Sequence, residues 1–225
     1  MKQKRVLILT DSLGCPRNET TVEHTWTDKI LRWGGEQENY FFYTYCQHGL
    51  FFNNIPMQYI LEIQPDIIIF QVGVVDACRR TMTKRVEKIF CRIPVIRKYI
   101  HLIRKKYHFF ITKHINIHYS TLKVVEMICE TLIEKTRADL CFIEIAPSSI
   151  IMNNSIYNFS EDVKAYNEIF YRLKNKNIDR VSCLEPYKNI NPDIIFLNDG
   201  HHLNDKGLDL VYSAVLQYLE RKKEN

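Results

Sequence analysis

The feature that most limits the fold of this chain is a set of short apolar runs rich in β-branched residues. Residues 5–9 read RVLIL and residues 66–72 read DIIIFQV. Unbroken apolar runs of this length are typical of strands covered on both faces, as in a parallel sheet. Residues 140–145 show the same pattern, and residues 38–45 and 179–184 show it less clearly. We therefore predict about five strands in a mostly parallel sheet.

Segments with helical periodicity separate these runs. Residues 120–136 carry apolar side chains about 3.6 residues apart, and residues 20–33 are followed by a glycine pair that is typical of a helix end. Ser160 precedes two acids and is predicted to be the N-cap of another helix, and residues 204–221 form the last helix. Strands that alternate with helices predict an α/β fold of three α/β/α layers around a doubly wound sheet.

Length and composition favour one domain, residues 1–225. No apolar stretch reaches the length of a membrane-spanning helix. The seven cysteines are an odd number and form no CxxC pair, which favours buried thiols in a reducing compartment. We expect a cytoplasmic protein, with a peripheral position at the inner face of the membrane as an option.

The net charge of +5 is unevenly distributed. Residues 79–123 hold thirteen Lys or Arg and one acid, Glu87. This stretch exceeds what a strand-to-helix connection needs, so we predict a basic helical insertion within the domain. It is either a solvated surface or a surface for an anionic polysaccharide or membrane. We expect no nucleic-acid partner, because no nucleic-acid-binding motif accompanies the charge.

Three polar blocks lie where the predicted strands end or the last helix begins. Residues 11–14 (DSLG) follow the first strand, residues 73–76 (GVVD) follow the third, and residues 199–204 (DGHHLN) precede the last helix. In doubly wound sheets, ligands bind at the carboxyl ends of the strands. We therefore expect the three blocks to meet at one edge of the sheet.

The first and last blocks hold the groups that a serine nucleophile requires. Such a serine needs an imidazole to take its proton and a carboxylate to orient that imidazole. Asp199 and His202 are three residues apart, close enough for the carboxylate to reach the ring Nδ1, and Ser12 could meet the other nitrogen. Each signal is weak alone, but together they predict a serine nucleophile activated by an Asp–His pair.

The combination of blocks resembles the SGNH (GDSL-like) hydrolase family over roughly residues 5–220. The first block of that family matches residues 11–13 (DSL), which puts its nucleophile at Ser12, and its DxxH block matches Asp199 and His202. The resemblance implies a flavodoxin-like α/β/α fold. It also implies hydrolysis of acyl esters through an acyl-enzyme, with no cofactor and no metal.

A narrower branch with DSLxxPR, GIVDCAPR-like and DGHHLN motifs looks closer still. Its counterparts here are residues 11–17 (DSLGCPR), 73–80 (GVVDACRR) and 199–204. Tyr166 and Asn167 fit a YN pair of the same branch. Such proteins are commonly associated with bacterial surface-polysaccharide loci. The resemblance therefore implies an O-acetylated sugar or polysaccharide as substrate.

Two positions depart from the family pattern. Thr10 stands where the family usually has a glycine, and Val75 stands where the third block has its oxyanion-binding asparagine. Loss of one such donor typically lowers the rate by about 10²–10³. We expect a rebuilt oxyanion hole formed by the backbone N–H groups of Ser12 and Gly49, the latter matching the glycine of the second block.

Four further residues are predicted to bind substrate: Arg17, Gly73, Asp76 and Arg80. The two arginines follow strand-end blocks, where a guanidinium could hold a carboxylate or phosphate through paired hydrogen bonds. The alternative is that both arginines fix loops.

Two other functions remain open from the sequence. A polysaccharide O-acetyltransferase would use the same three residues and pass the acyl group to a sugar hydroxyl. A non-catalytic carbohydrate-binding protein is also compatible, because Val75 replaces a catalytic donor.

Overall fold

A five-stranded parallel sheet forms the centre of the computed structural model, which describes residues 3–223 except for the side chain of Lys105. The strands are β1 (Lys4–Thr10), β2 (Tyr40–Cys46), β3 (Ile67–Gln71), β4 (Asp139–Ile143) and β5 (Val181–Leu184). Their order is β2-β1-β3-β4-β5, and every neighbouring pair is parallel. The predicted α/β fold with five parallel strands is confirmed.

Helices cover both faces of the sheet. They are α1 (Trp26–Gly35), α2 (Met57–Ile63), α3 (Val74–Ala77), α4 (Lys84–Phe90), α5 (Pro94–His114), α6 (Leu122–Lys135), α7 (Ile150–Ser155), α8 (Phe159–Lys176) and α9 (Asp205–Lys223). Helix α1 packs against α9 on one side, and α6 packs against α8 on the other. Right-handed crossovers between parallel strands produce this division into three layers.

The burial of the central strands explains the unbroken apolar runs in the sequence. The side chains of Val6 to Leu9 in β1 have no solvent exposure, and β3 is buried throughout. Edge strand β2 alternates instead, with Phe41 about half exposed, and its signal in the sequence is weaker for that reason. Both patterns follow from whether a strand is covered on one face or two.

Two helix starts differ from the sequence prediction. Helix α1 begins at Trp26, because the Thr25 side chain accepts a hydrogen bond from the Asp28 backbone N–H at 3.2 Å and caps the helix there. Helix α8 begins at Phe159, so the predicted N-cap at Ser160 is wrong. The cap is Asn158, which has a φ of 61°, a left-handed conformation that asparagine tolerates better than most residues.

Residues 79–123 contain α4, α5 and the start of α6. A backbone bridge closes the base of this segment, with Arg80 N–H donating to Ile117 O at 2.8 Å. Helix α5 is tied to the domain through Thr112, whose hydroxyl accepts a hydrogen bond from Tyr157 N–H at 3.1 Å. Among the helices of residues 3–223, none meets the length and hydropathy that a bilayer crossing needs.

Candidate active site

The loop after β1 lies at the carboxyl edge of the sheet, held between the ends of two neighbouring strands. Asp11 N–H donates to Gln71 O at the end of β3 (3.1 Å), and Gln47 N–H, just past β2, donates to Thr10 O (3.1 Å). Ser12 therefore starts from the middle of this edge, as the strand-end argument predicted.

Ser12, His202 and Asp199 form a continuous chain of side-chain contacts. Ser12 Oγ lies 3.2 Å from His202 Nε2, and His202 Nδ1 lies 2.6 Å from Asp199 Oδ2. A carboxylate only accepts hydrogen bonds, so Nδ1 carries the proton and Nε2 is left to accept from the serine hydroxyl. The fold thus brings together the three residues predicted from positions 190 apart.

A tight loop presents His202 toward the serine. Leu197 N–H donates to His202 O at 2.7 Å, and Gly200 turns the chain with a φ of 77°, a conformation that favours glycine. The side chain of Asn204 then accepts from Gly207 N–H at 3.1 Å and caps α9. The DGHHLN block therefore contains a turn before His202 and a helix cap after it, and together they fix the position of His202.

The protonation states of the acid–base pair suit proton transfer at neutral pH. Burial lowers the pKa of His202 to about 4, and the hydrogen bond that His202 donates to Asp199 offsets this only in part. Burial alone would raise the pKa of Asp199, but hydrogen bonds from the N–H groups of His202 and His201 outweigh it and lower the pKa to about 2. At pH 7 the imidazole is neutral and the carboxylate is ionised.

Several solved structures share this architecture from end to end. The lipase/acylhydrolase from Enterococcus faecalis superposes with a TM-score of 0.67 at 12% identity, covering 98% of this chain and 97% of that one. The GDSL-like lipase from Bacteroides thetaiotaomicron VPI-5482 gives 0.61 at 10% identity, covering 97% and 89%. The chain has the SGNH (GDSL-like) hydrolase fold. The acetyl xylan esterase AlAXEase gives 0.60 at 15% identity, covering 95% and 98%. No family model and no curated protein sequence matches the chain.

Two side chains hold the nucleophile loop of this SGNH fold in place. Asp11 is fully buried and accepts from Leu13 N–H at 2.9 Å, which closes the turn around Ser12. Burial raises the pKa of Asp11 to about 7. Arg17 donates through Nη2 to the backbone carbonyl of Ser12, and its charge is attracted to Asp199. Arg17 therefore contacts the backbone of Ser12, the predicted nucleophile.

Asp76 does not face the site. Its side chain has no solvent exposure, and it accepts from Phe52 N–H at 3.2 Å and from the Ser120 hydroxyl. Burial raises the pKa of Asp76 to about 7. The predicted substrate contact is corrected to a structural one, because the carboxylate ties together two loops beneath the surface.

The other residues of the third block also pack inward. Gly73 is buried with a φ of 132°, and a Cβ there would lie 2.7 Å from Ile145 Cδ1, so its role is close packing. The side chain of Val75 is partly buried against the core. The backbone N–H groups of Ser12 and of Gly49, which has a φ of 70° in the loop after β2, stay the predicted oxyanion donors.

Arg80 has intramolecular partners that favour the loop-fixing interpretation. It donates from Nη2 to Val75 O at 2.9 Å, and its guanidinium lies 4.6 Å from the centre of the Tyr119 ring. Arg17 is engaged in the same way with a carbonyl. A substrate clamp by either arginine stays a prediction.

A buried polar network that lies behind Ser12 was not predicted from the sequence. Gln71 Oε1, at the end of β3, accepts from the Trp26 indole N–H at 2.6 Å and from the Thr10 hydroxyl at 3.3 Å. The signal that could have located it is a glutamine that ends an otherwise apolar strand. This network anchors the end of β1 directly below the serine loop.

Asp199, His201 and His202 place ligand atoms within 4.8 Å of one another, an arrangement that a metal ion could use. Two of those side chains are already hydrogen-bonded to each other within the triad. A metal bound through His202 Nδ1 would therefore displace the hydrogen bond between His202 and Asp199. The expectation that the protein needs no metal stays a prediction.

Proposed function

We propose that this protein is a serine esterase of the SGNH type, with Ser12 as nucleophile, His202 as general base and Asp199 as its partner. The observation that carries the proposal is the unbroken chain from Ser12 Oγ to His202 Nε2, at 3.2 Å, and from His202 Nδ1 to Asp199 Oδ2, at 2.6 Å. That arrangement is what an activated serine requires. The SGNH fold, shared with solved esterases and acylhydrolases, supports the same reaction class.

The reaction proceeds in two halves. Ser12 Oγ attacks the ester carbonyl carbon while its proton passes to His202 Nε2. The tetrahedral intermediate then expels the alcohol, which takes the proton from His202 and leaves an acyl group on Ser12. In the second half, water loses a proton to His202 and attacks the acyl carbon, and the carboxylic acid leaves as Ser12 recovers its proton. Asp199 stabilises the imidazolium in both halves.

The negative charge on the carbonyl oxygen requires hydrogen-bond donors. The N–H groups of Ser12 and Gly49 are assigned this role, since Val75 offers no side-chain donor. Loss of one donor typically lowers the rate by about 10²–10³, so the enzyme is expected to be slower than relatives that have the asparagine.

The substrate proposed is an O-acetyl ester on a sugar or surface polysaccharide. An acetyl xylan esterase and an acetyl-xylooligosaccharide esterase are among the solved structures of the same fold, which supports an acetylated sugar as the substrate class. All seven cysteines are free thiols, which supports action in a reducing compartment such as the cytoplasm.

Covalent labelling with a fluorophosphonate tests the nucleophile directly. We expect the label on Ser12, identified by mass spectrometry, and none on a Ser12→Ala variant. Ser155→Ala is the matched control, since Ser155 is another accessible serine but lies outside the triad. A label on another residue, or a wild-type protein that stays unlabelled, would contradict the assignment.

An O-acetyltransferase would use the same triad, and the acyl acceptor separates the two activities. Purified protein is given p-nitrophenyl acetate with and without candidate sugars. Steady release of nitrophenol without sugar is the result expected of an esterase. Turnover that requires a sugar, with acetyl transferred to it, would reassign the protein as a transferase. Unchanged activity in Ser12→Ala would instead favour a carbohydrate-binding protein.

A further inference from the structure

Helices α4 and α5 expose an unusual number of large apolar side chains. The most exposed are Val95 at 64%, Tyr99 and Phe110 at 63%, and Ile89 at 62%. Others are about half exposed: Phe90, Ile93, Leu102, Ile103, Tyr107 and Phe109. Contiguous exposed apolar surface is rare on a monomeric protein and usually marks a place where something docks. We call these residues and the basic residues among them the α4–α5 surface.

The apolar residues of α5 follow one stripe of the helix. Val95, Tyr99, Leu102 and Phe110 are spaced by four, three and eight residues, which places them on one face of an α-helix. The opposite face holds the contacts with the domain, and there His108 Nδ1 lies 3.0 Å from Ser155 O. The stripe therefore points away from the protein, into solvent.

Basic side chains lie on and beside this stripe. Lys106, four residues after Leu102 and four before Phe110, falls on the stripe, as does Lys113, and Lys98 lies beside it. All three lysines are exposed. The one acid of residues 79–123, Glu87, is already paired with Arg104 at 2.6 Å and with the Tyr119 hydroxyl. The α4–α5 surface thus combines apolar and aromatic groups with positive charge that no acid of its own segment balances.

We propose that the α4–α5 surface docks on an anionic lipid bilayer. An interfacial helix binds such a bilayer by burying its apolar face at the headgroup boundary while Lys and Arg attract anionic headgroups. A second copy of this chain, packed through the same surface, would bring lysines against lysines. Charge complementarity therefore favours a negatively charged membrane over self-association.

The start of α4 contacts the loop after β2, which holds the predicted oxyanion donor Gly49. Lys84, at the start of α4, lies with its Nζ 3.8 Å from the centre of the Phe51 ring, in the loop that follows Gly49. Docking would hold this side of the sheet edge near headgroups and favour acyl esters carried on membrane-bound molecules. This consequence for the substrate rests on the proposed esterase function, whereas the docking itself does not.

Vesicle flotation tests the docking with the full chain. Wild-type protein is mixed with vesicles of phosphatidylcholine alone or of phosphatidylcholine with phosphatidylglycerol, at low and high salt. We expect binding to the anionic vesicles only, weakened by salt. Neutralising Lys98, Lys106 and Lys113 with glutamine should lower the partition coefficient about fivefold for each charge removed. Replacing Tyr99, Leu102 and Phe110 with serine should abolish binding at either salt concentration.

Matched controls change exposed residues elsewhere. Ile178→Ser removes an apolar side chain that is 77% exposed, and Lys135→Gln removes an exposed charge, and neither should alter binding. Hydrolysis of p-nitrophenyl acetate and circular dichroism should be unchanged in all variants, which separates loss of docking from loss of activity or folding. If the triple serine variant misfolds, Phe110→Ser alone serves the same comparison.

Two results would overturn the proposal. One is equal binding to neutral and anionic vesicles, or to neither. The other is a dimer in solution that the serine variants dissociate, which would make the surface a contact between copies of this chain.

Discussion

Thr10 occupies the space that a side chain on Gly14 would need. A Cβ on Gly14 would lie 2.5 Å from Thr10 Oγ1 and 2.9 Å from Thr10 Cβ, and Thr10 is completely buried at the end of β1. The turn that carries Ser12 therefore folds back onto the strand that leads into it. The resembled family usually has a glycine at the position of Thr10, so the family pattern alone would not predict this contact.

Gly14→Ala should destabilise the protein by about 1–3 kcal/mol, because the buried threonine cannot move aside. It should also lower esterase activity by displacing Ser12. Adding Thr10→Gly removes the clash and should restore most of the stability and most of the esterase activity. The double variant should still be less stable than wild type by about 0.5–1 kcal/mol, the cost of a glycine within a strand. Urea denaturation of the single and double variants measures the coupling. Additive effects of the two substitutions would contradict the contact.

Adjacent histidines provide a matched pair for the general base. His202→Ala should lower kcat on p-nitrophenyl acetate by about 10³–10⁴, since among residues 3–223 the Ser12 hydroxyl is hydrogen-bonded to His202 and to no other described side chain. His201→Ala should stay within a few-fold of wild type, because its ring lies beside that of His202 and not against the serine. Equal losses in the two variants would reject the assignment of His202 as base.

The pH profile should extend well into the acid range. Burial lowers the pKa of His202 to about 4, so the imidazole stays neutral and able to accept a proton down to about that pH. We expect kcat/KM to be flat between pH 5 and 7 and to fall about tenfold per unit below pH 4, as ionisation of a single base requires. Circular dichroism at each pH verifies that the protein stays folded. A midpoint of the kcat/KM profile near pH 6.5 would contradict the lowering of the His202 pKa by burial.

Asp76 should make the free energy of unfolding fall as pH rises. A carboxylate whose pKa is lowered in the folded state has the opposite effect. Burial raises the pKa of Asp76 to about 7, so the folded state holds a proton that the unfolded state releases near pH 4. Its contribution is therefore fully present below pH 4 and is lost as pH rises toward 7. Asp76→Asn should remove the part of this dependence that Asp76 contributes, leaving that of Asp11, and should raise the free energy of unfolding at pH 8, on the order of 1–3 kcal/mol. Urea denaturation at pH 5 and pH 8 measures the difference, and an asparagine variant that is less stable at pH 8 would contradict it.

If Arg17 and Arg80 fix loops and do not clamp substrate, replacing either one should not change the preference between neutral and acidic esters. Arg17 bonds to the carbonyl of Ser12, and Arg80 bonds to that of Val75. Arg17→Ala and Arg80→Ala should therefore lower kcat/KM on neutral and acidic acetyl esters by the same factor. A selective loss on acidic esters, seen as a changed ratio of the two rates, would restore the clamp for that arginine.

The sheet and the triad were predictable because each rests on a short local pattern. The runs at residues 5–9 and 66–72 became β1 and β3, two of the three inner strands, whose burial on both faces leaves no room for alternation. Ser12, Asp199 and His202 followed from the rule that strand ends share one edge, together with the reach of three residues in a turn.

The roles that sequence analysis predicted wrongly are those that depend on burial or on a partner far away in the chain. Asp76 is four residues from Arg80 in a polar block, and nothing local reveals that Phe52 and Ser120 close over it. Likewise, the alternation of apolar and basic residues in α5 predicts a helix but leaves open which face packs. Contacts such as those of Thr112 and His108 with the domain fix that choice.

The position of β1 has a consequence for synthesis of the protein. This strand lies between β2 and β3, and the serine that follows it is made long before its base, which comes 190 residues later. A growing chain on the ribosome therefore carries a hydroxyl with no imidazole to activate it until the DGHHLN loop has emerged. Under the proposed mechanism, Ser12 cannot be acylated before residues 199–204 have been made and have folded against it.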